Sequence, residues 1–310
     1  MMTEQERQQE QTLKTYRYVR LAIVALVVGI TGAVLVQRRK ADGFLGSISA
    51  YYYTPARGMF VAALLAIGVC LVCVRGGTTA EDILLNAAGM LAPVVALVPT
   101  SPGKELLDPK IVPPARDPLF LQREAAVSNN WSALMWVAAF AFLVLLVLLI
   151  VKALGENDPA KRWPSRSDLI GFAAAAALVV AAVWWYFCET KGFLKAAHFT
   201  AAIAMFVFIA IAAIIDGARA ILVQQAAVRG WVYIALGATM LLAGVGILGY
   251  DKFVQPWRHA VLIAEFVLIM LFGVIWAIQT VDLWNYTSRA DAIEAAQLEA
   301  AAGGGVGAAG

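Results

Sequence analysis

YVRLAIVALVVGITGAVLVQ, residues 18–37, is a run of twenty residues with one charge, closed by Arg38, Arg39 and Lys40. A helix rises about 1.5 Å per residue, so about 20 apolar residues cross the hydrocarbon core of a bilayer. The same signature recurs down the chain at 58–74, 82–98, 131–151, 169–187, 196–215, 231–250 and 259–279. Eight spans are therefore expected, in an all-α polytopic transmembrane helix bundle with both termini on one side. The third run, with Asn86, Gly89 and Pro93, is the most polar. Read as a re-entrant hairpin it would reduce the total to seven, but its short Gly-Gly-Thr-Thr approach favours a full span. No small-residue cleavage site separates the first run from a polar mature region, so it reads as a retained helix.

Composition agrees. Of 310 residues, 61% are hydrophobic and 15% charged, with a mean hydropathy of +0.75, whereas a soluble domain carries about 25% charge. A cytoplasmic enzyme, a nucleic-acid binder and a disulfide scaffold are excluded. Cys70 and Cys73 share one apolar run and Cys188 ends another, which offers neither a redox pair nor a zinc set. The chain divides into a polar N-terminal tail (1–17), the transmembrane bundle (18–288) and a flexible Ala/Gly-rich C-terminal tail (289–310).

Loop charge normally sets orientation through an excess of Lys and Arg inside. Here the two sides carry twelve each. The Pro-rich segment 100–130 has the character of an external loop and 157–162 that of a cytoplasmic one. The expected placement is the inner membrane, with both termini cytoplasmic.

Ionisable side chains at membrane depth are costly and mark candidate sites. Glu265, the seventh residue of the eighth span, must face the bundle interior. It is either a proton or ligand site, or a packing anchor bonded to a polar neighbour such as Asn86 or to a backbone group. His198 and His259 each head a span on the side away from the termini, where a water-facing position is expected. Two His without close spacing make no metal site. Asp216 and Arg219, three residues apart, read as a local ion pair. No cofactor is implied.

The densest polar motif is Gly46-Ser47-Ile48-Ser49-Ala50-Tyr51-Tyr52-Tyr53-Thr54-Pro55-Ala56-Arg57. Tyrosines anchor at the membrane interface. Ser47, Ser49, Tyr53 and Arg57 add hydroxyls beside a guanidinium, which suits a phosphate or carboxylate headgroup. A nucleophilic serine would need a base within reach, and His198 or His259 lies on the correct side. Asn86 is a candidate for hydrogen bonding across helices. Gly237, Gly244, Gly246 and Gly249 allow close backbone approach in the seventh span. Trp184, Trp185, Tyr186 and Trp257 form an aromatic belt on the loop side.

The Ser47–Pro55 stretch, the following apolar span through Val74 and the Asn86-Ala87-Ala88-Gly89 to Thr100 segment together resemble a family of bacterial membrane proteins related to the Frag/DRAM-like group. The resemblance covers residues 44–100, extending to the Lys195–Ala201 stretch. Relatives in that wider group have about six spans, fewer than the eight read here. The likeness implies a lipid-facing role around the Ser/Tyr loop, with Ser49, Tyr53, Arg57, Asn86 and His198 at matched positions. Glu265 lies outside the matched segment. The leading expectation is a protein that binds or senses a lipid or small amphiphile at the outer leaflet. A lipid-modifying enzyme and a proton-coupled transporter using Glu265 are the alternatives. Membrane lipids and a second copy of the chain are the partners expected, and nucleic acid is not.

Overall fold

The computed structural model describes residues 3–40, 43–100, 123–155, 164–223, 226–253 and 259–304. All regular structure among them is helical. Among the described residues nine α-helices follow in order: α1 Glu4–Lys40, α2 Arg57–Cys73, α3 Thr79–Leu97, α4 Arg123–Gly155, α5 Arg166–Cys188, α6 Thr190–Leu222, α7 Ala227–Phe253, α8 Ala260–Asp282 and α9 Arg289–Gly304. A short 3-10 turn, Ser49–Tyr53, lies between α1 and α2. Seven of the helices are long and apolar enough to cross a membrane, while α2 is apolar but has 17 residues. Such a helix rises about 25 Å, at the lower limit for a span. The protein is an integral membrane helix bundle.

Local chemistry sets several helix ends. Thr78 caps α3 by accepting from the Glu81 amide, and on the first turn the Glu81 and Asp82 carboxyls accept from the Gly77 and Gly76 amides. Ser165 and Asp168 form a reciprocal capping box on α5. Arg38, Arg39 and Lys40 sit on the carbonyl end of α1. Helix α3 runs unbroken through Pro93 from the Thr78 cap to Leu97, so it forms as one helix and not as a hairpin. The expected polar tail is continuous with the first span, because α1 starts at Glu4. At the other end, the Ala-rich stretch expected to be flexible is helical over Arg289–Gly304, and Arg289, Ala292 and Ile293 are buried. Residues 101–122, 156–163, 254–258 and 305–310 lie outside the described residues, and with them most of the expected external loop, the 157–162 connection, Trp257 and the end of the tail.

Neighbour packing runs α1–α2, α2–α3, α3–α6, α6–α7, α7–α8 and back from α8 to α1. Six helices thus close a ring. Helices α4 and α5 stand outside it, α4 against α3 and α5 against α3 and α6, with their most apolar stretches unburied. Their loop-side ends are tied in by an aromatic cluster. Trp131 of α4 and Trp185 and Tyr186 of α5 surround Phe193 of α6, with ring centroids 4.6, 5.4 and 5.2 Å from it.

Hydrocarbon tails are as apolar as leucine, so helices in a bilayer adhere through close packing rather than the hydrophobic effect. Glycines allow it here. A Cβ at Gly217 would lie 2.6 Å from the Gly230 carbonyl oxygen, and one at Gly230 would lie 2.5 Å from that of Gly217, so α6 and α7 touch backbone to backbone. Gly68 of α2 and Gly89 of α3 make the corresponding contact, at 2.8 and 2.7 Å. Of the four glycines singled out in α7, Gly237 meets the Ala210 carbonyl oxygen, at 2.6 Å. Gly244 has only a loose contact, and Gly246 and Gly249 face open space. Gly217→Val should force α6 and α7 apart and cost about 1–3 kcal/mol or more, read as a lower thermal midpoint in mild detergent. Gly246→Val should leave that midpoint unchanged; equal effects would contradict this packing.

Candidate functional site

At the loop end the ring is capped by the segment leading into the Ser49–Tyr53 turn. The Leu262 amide donates to the Gly46 carbonyl at 2.9 Å, which seats the segment on the start of α8. Ser47 Oγ accepts from the Ala50 amide at 3.0 Å and shapes the turn. One helical turn after Leu262 comes Glu265. Its Oε2 accepts from the Ile48 and Ser49 amides at 2.5 and 3.2 Å, and its Oε1 from Ser49 Oγ at 2.7 Å. No described Lys or Arg forms an ion pair with Glu265. The two backbone N–H groups and the hydroxyl perform that service, each a charge-assisted donor.

Ser49 also meets His198 of α6, whose Nε2 lies 2.7 Å from the serine Oγ. The other ring nitrogen, Nδ1, is 2.9 Å from the Val98 carbonyl oxygen at the end of α3. A carbonyl only accepts, so Nδ1 carries hydrogen and the ring is oriented by this bond. Ser49 and His198 are buried, and Glu265 is half-buried. His198 is therefore a buried member of a Ser49–His198–Glu265 cluster, which corrects the expected water-facing position. Its ring sits inside because α3, the turn and α8 all supply polar groups at one level.

The remaining candidates are placed elsewhere. Tyr53 is near this level and donates its hydroxyl to the Thr100 carbonyl at 2.6 Å. Arg57 bonds the Tyr52 hydroxyl at 3.0 Å and lies over that ring, 4.4 Å from its centroid. Of the two partners expected for Glu265, Asn86 takes no part in the cluster's hydrogen bonds, and the loop backbone supplies them. His259 stands half-buried at the N-cap of α8, and its Nδ1 has no hydrogen-bond partner among the described residues. Beside the cluster, burial pushes the Tyr51 phenol above its ordinary pKa, partly offset by the Leu45 amide and the Arg38 charge.

Below the cluster lies a narrow cavity inside the ring, with a free volume of about 50 Å³. Val27, Phe60, Leu64, Met205, Ile209 and Phe272 supply much of its wall, and Ser49 and Glu265 are its polar residues. From Glu265 to Phe272 the slot follows α8 for seven residues, about 10 Å.

A second polar centre lies at the terminus end, and sequence reasoning missed it. Arg289 of α9 makes a two-pronged bond to Asp216, at 2.9 Å on each oxygen, and reaches Asp282 at 2.6 Å. Asp216 thus pairs with Arg289, not with Arg219 as its spacing implied. Arg219 donates instead to the Gly77 carbonyl. Burial works against the Arg289 charge, but the bond and attraction to Asp216, with Asp282 behind it, hold its pKa above the ordinary arginine value. Arg20 of α1 gathers the carbonyls of Leu283, Tyr286 and Thr287. A small chamber of about 20 Å³ adjoins this centre, lined by Glu81, Asp216, Tyr233, Trp276 and Gln279 among others. It shares Ile209 with the slot above. No local spacing signals this centre, because its partners come from α6, α8 and α9.

The fold and these two centres define a polytopic membrane protein with a polar-capped internal slot. Comparison with known proteins finds no matching family model, no matching curated protein and no matching solved structure.

Arg289→Ala would leave the buried Asp216 without a cation, while Asp282 keeps Arg229 at 3.0 Å, and should cost about 3–5 kcal/mol. Thermal unfolding in mild detergent reads the loss, and an unchanged midpoint would contradict the pairing.

Proposed function

We propose that this integral membrane protein binds a lipid or small amphiphile, with a hydrocarbon chain in the slot and the polar end at the Ser49–Glu265 mouth. The carrying observation is the polarity of the cavity: apolar walls from α1, α2, α3, α6 and α8, with polar groups at one end only. Ligand pockets combine apolar walls with a few placed polar groups, and a slot about 10 Å long suits a short chain or a chain end. The resemblance to the Frag/DRAM-like group adds the expectation of a lipid-facing role. In this reading the mouth belongs to the outer leaflet of the inner membrane, and both termini are cytoplasmic.

Native mass spectrometry in mild detergent tests it. Wild type should retain a lipid-sized mass, and Leu64→Trp, which fills the slot, should lose it about tenfold or more while its thermal midpoint shows it folded. Arg57→Ala should keep the mass, because that guanidinium is engaged by Tyr52. Equal retention in wild type and Leu64→Trp would overturn the reading.

A second reading, a lipid-modifying enzyme, is favoured by one specific observation. Ser49 Oγ is 2.7 Å from an imidazole whose other nitrogen is held by a carbonyl, the nucleophile, base and orienting group that acyl transfer uses. A fluorophosphonate probe should then label Ser49 and spare the His198→Asn variant; an unlabelled wild type rules this reading out. Coupled transport needs Glu265 to be reached from both sides, and the two cavities meet only at Ile209, so the geometry favours it least.

A further inference from the structure

The contacts of Ser49 Oγ contain a proton count. A serine hydroxyl has one hydrogen, yet Oγ lies 2.7 Å from His198 Nε2 and 2.7 Å from Glu265 Oε1. His198 Nδ1 is committed as a donor to the Val98 carbonyl. Glu265 Oε2 is committed as an acceptor from the Ile48 and Ser49 amides. With a neutral imidazole and a carboxylate, two acceptors would face one hydrogen, and one of the two contacts would be lone pair against lone pair. Both contacts become hydrogen bonds only when a second hydrogen sits on Nε2 or on Oε1.

We propose that Ser49, His198 and Glu265 form a proton-binding site that holds one proton in common, with the Ser49 hydroxyl as the bridge. In one form the imidazolium Nε2–H donates to Oγ, and Oγ–H donates to the carboxylate Oε1. In the other the carboxylic Oε1–H donates to Oγ, and Oγ–H donates to the neutral imidazole Nε2. Interconversion moves one proton from Nε2 to Oγ and another from Oγ to Oε1. Serine remains a neutral hydroxyl throughout, and the pair of ionisable groups has no net charge in either form. A net-neutral cluster suits the head of an apolar slot, where an uncompensated carboxylate is costly.

The slot below is walled by Val27 of α1, Phe60 and Leu64 of α2 and Val95 of α3. Tyr51 faces the Leu45 amide, Tyr53 donates to the Thr100 carbonyl, and Arg57 is on the Tyr52 ring. Lys195, one turn before His198, is exposed. The site can exchange a proton with a polar group that reaches Ser49 Oγ from the slot. Only the form with neutral imidazole leaves Nε2 able to act as a base. This inference goes beyond amphiphile binding and does not depend on it.

Two spectroscopic occupancies at about neutral pH test the count on the full-length protein in mild detergent. The chain has two histidines, so His259→Asn, with asparagine a good N-cap, leaves His198 as the single imidazole for nitrogen NMR. Infrared difference against Glu265→Gln isolates the carbonyl stretch of a protonated Glu265. The imidazolium fraction plus the carboxylic-acid fraction should equal one. Glu265→Gln mimics the acid form, since its amide oxygen accepts from Ile48 and Ser49 while its NH₂ donates to Oγ. His198 should then be wholly neutral with hydrogen on Nδ1. Ser49→Ala removes the bridge and should drop the sum below one. A wild-type sum of zero, hydrogen absent from Nδ1, or a sum unchanged by Ser49→Ala would each overturn the proposal. Because no lipid is added, failure here is distinguishable from failure of the amphiphile reading.

Discussion

The loop-side closure depends on the bond between a glutamate in α8 and the backbone of a loop that would otherwise have no partner. Glu265 accepts from the Ile48 amide, the Ser49 amide and the Ser49 hydroxyl. Water satisfies such amides at a protein surface, but in an apolar interior an unpaired amide costs several kcal/mol. The carboxylate needs the amides for the same reason. Each therefore fixes the other, and the Ser49–Tyr53 turn is drawn in over the ring. With the turn in place, Ser49 meets a histidine on α6 that is itself aimed by the end of α3. Turn, α3, α6 and α8 become one unit, and the slot beneath acquires its polar mouth.

The terminus end solves a related problem with ions. Arg289 brings a cation from outside the ring to two carboxylates at the ends of α6 and α8. Arg20 takes up the carbonyls of the chain leaving α8. Buried ion pairs of this kind contribute little net stability but are costly to break. Their consequence is registry, since Arg289 can satisfy both aspartates only when α6, α8 and α9 stand in one arrangement. Between the two centres the ring is apolar, and its helices adhere through glycine contacts at α2–α3 and α6–α7. Helices α4 and α5 carry little of this load. They join the ring mainly through aromatic rings at the loop side, with a Phe142–Phe172 contact between them.

Much of the fold was legible because a bilayer forces long apolar runs into helices, and each run here became a helix. Helix ends were less so: α4 begins at Arg123 and α6 at Thr190, both ahead of their apolar runs. Helix formation needs backbone bonds, not apolarity, and continues past the hydrocarbon boundary. Ser49, His198 and Glu265 were recognisable singly, as polar groups in costly places. Their meeting was not, because the bonds join residues 149 and 216 positions apart. Asp216 shows the reverse error. A nearby Arg219 offered a plausible local partner, while the true one lies 73 residues on. Arg57 and Asn86 attracted attention as polar groups near membrane depth, yet a neighbouring ring engages the first and the second stands apart from the cluster.

Glu265 and Ser49 hold the loop to α8 as one coupled unit. A double-mutant cycle measures this most directly, using Ser49→Ala, Glu265→Ala and the double variant, with unfolding free energies taken in one mild detergent. Residues sharing a hydrogen-bond network give interaction energies of about 0.5–3 kcal/mol, while independent sites add to within about 0.3–0.5 kcal/mol. A coupling of about 1 kcal/mol or more is expected, with the second substitution costing much less once the first is made. Strict additivity would mean that Ser49 and Glu265 do not act on each other, and would contradict it.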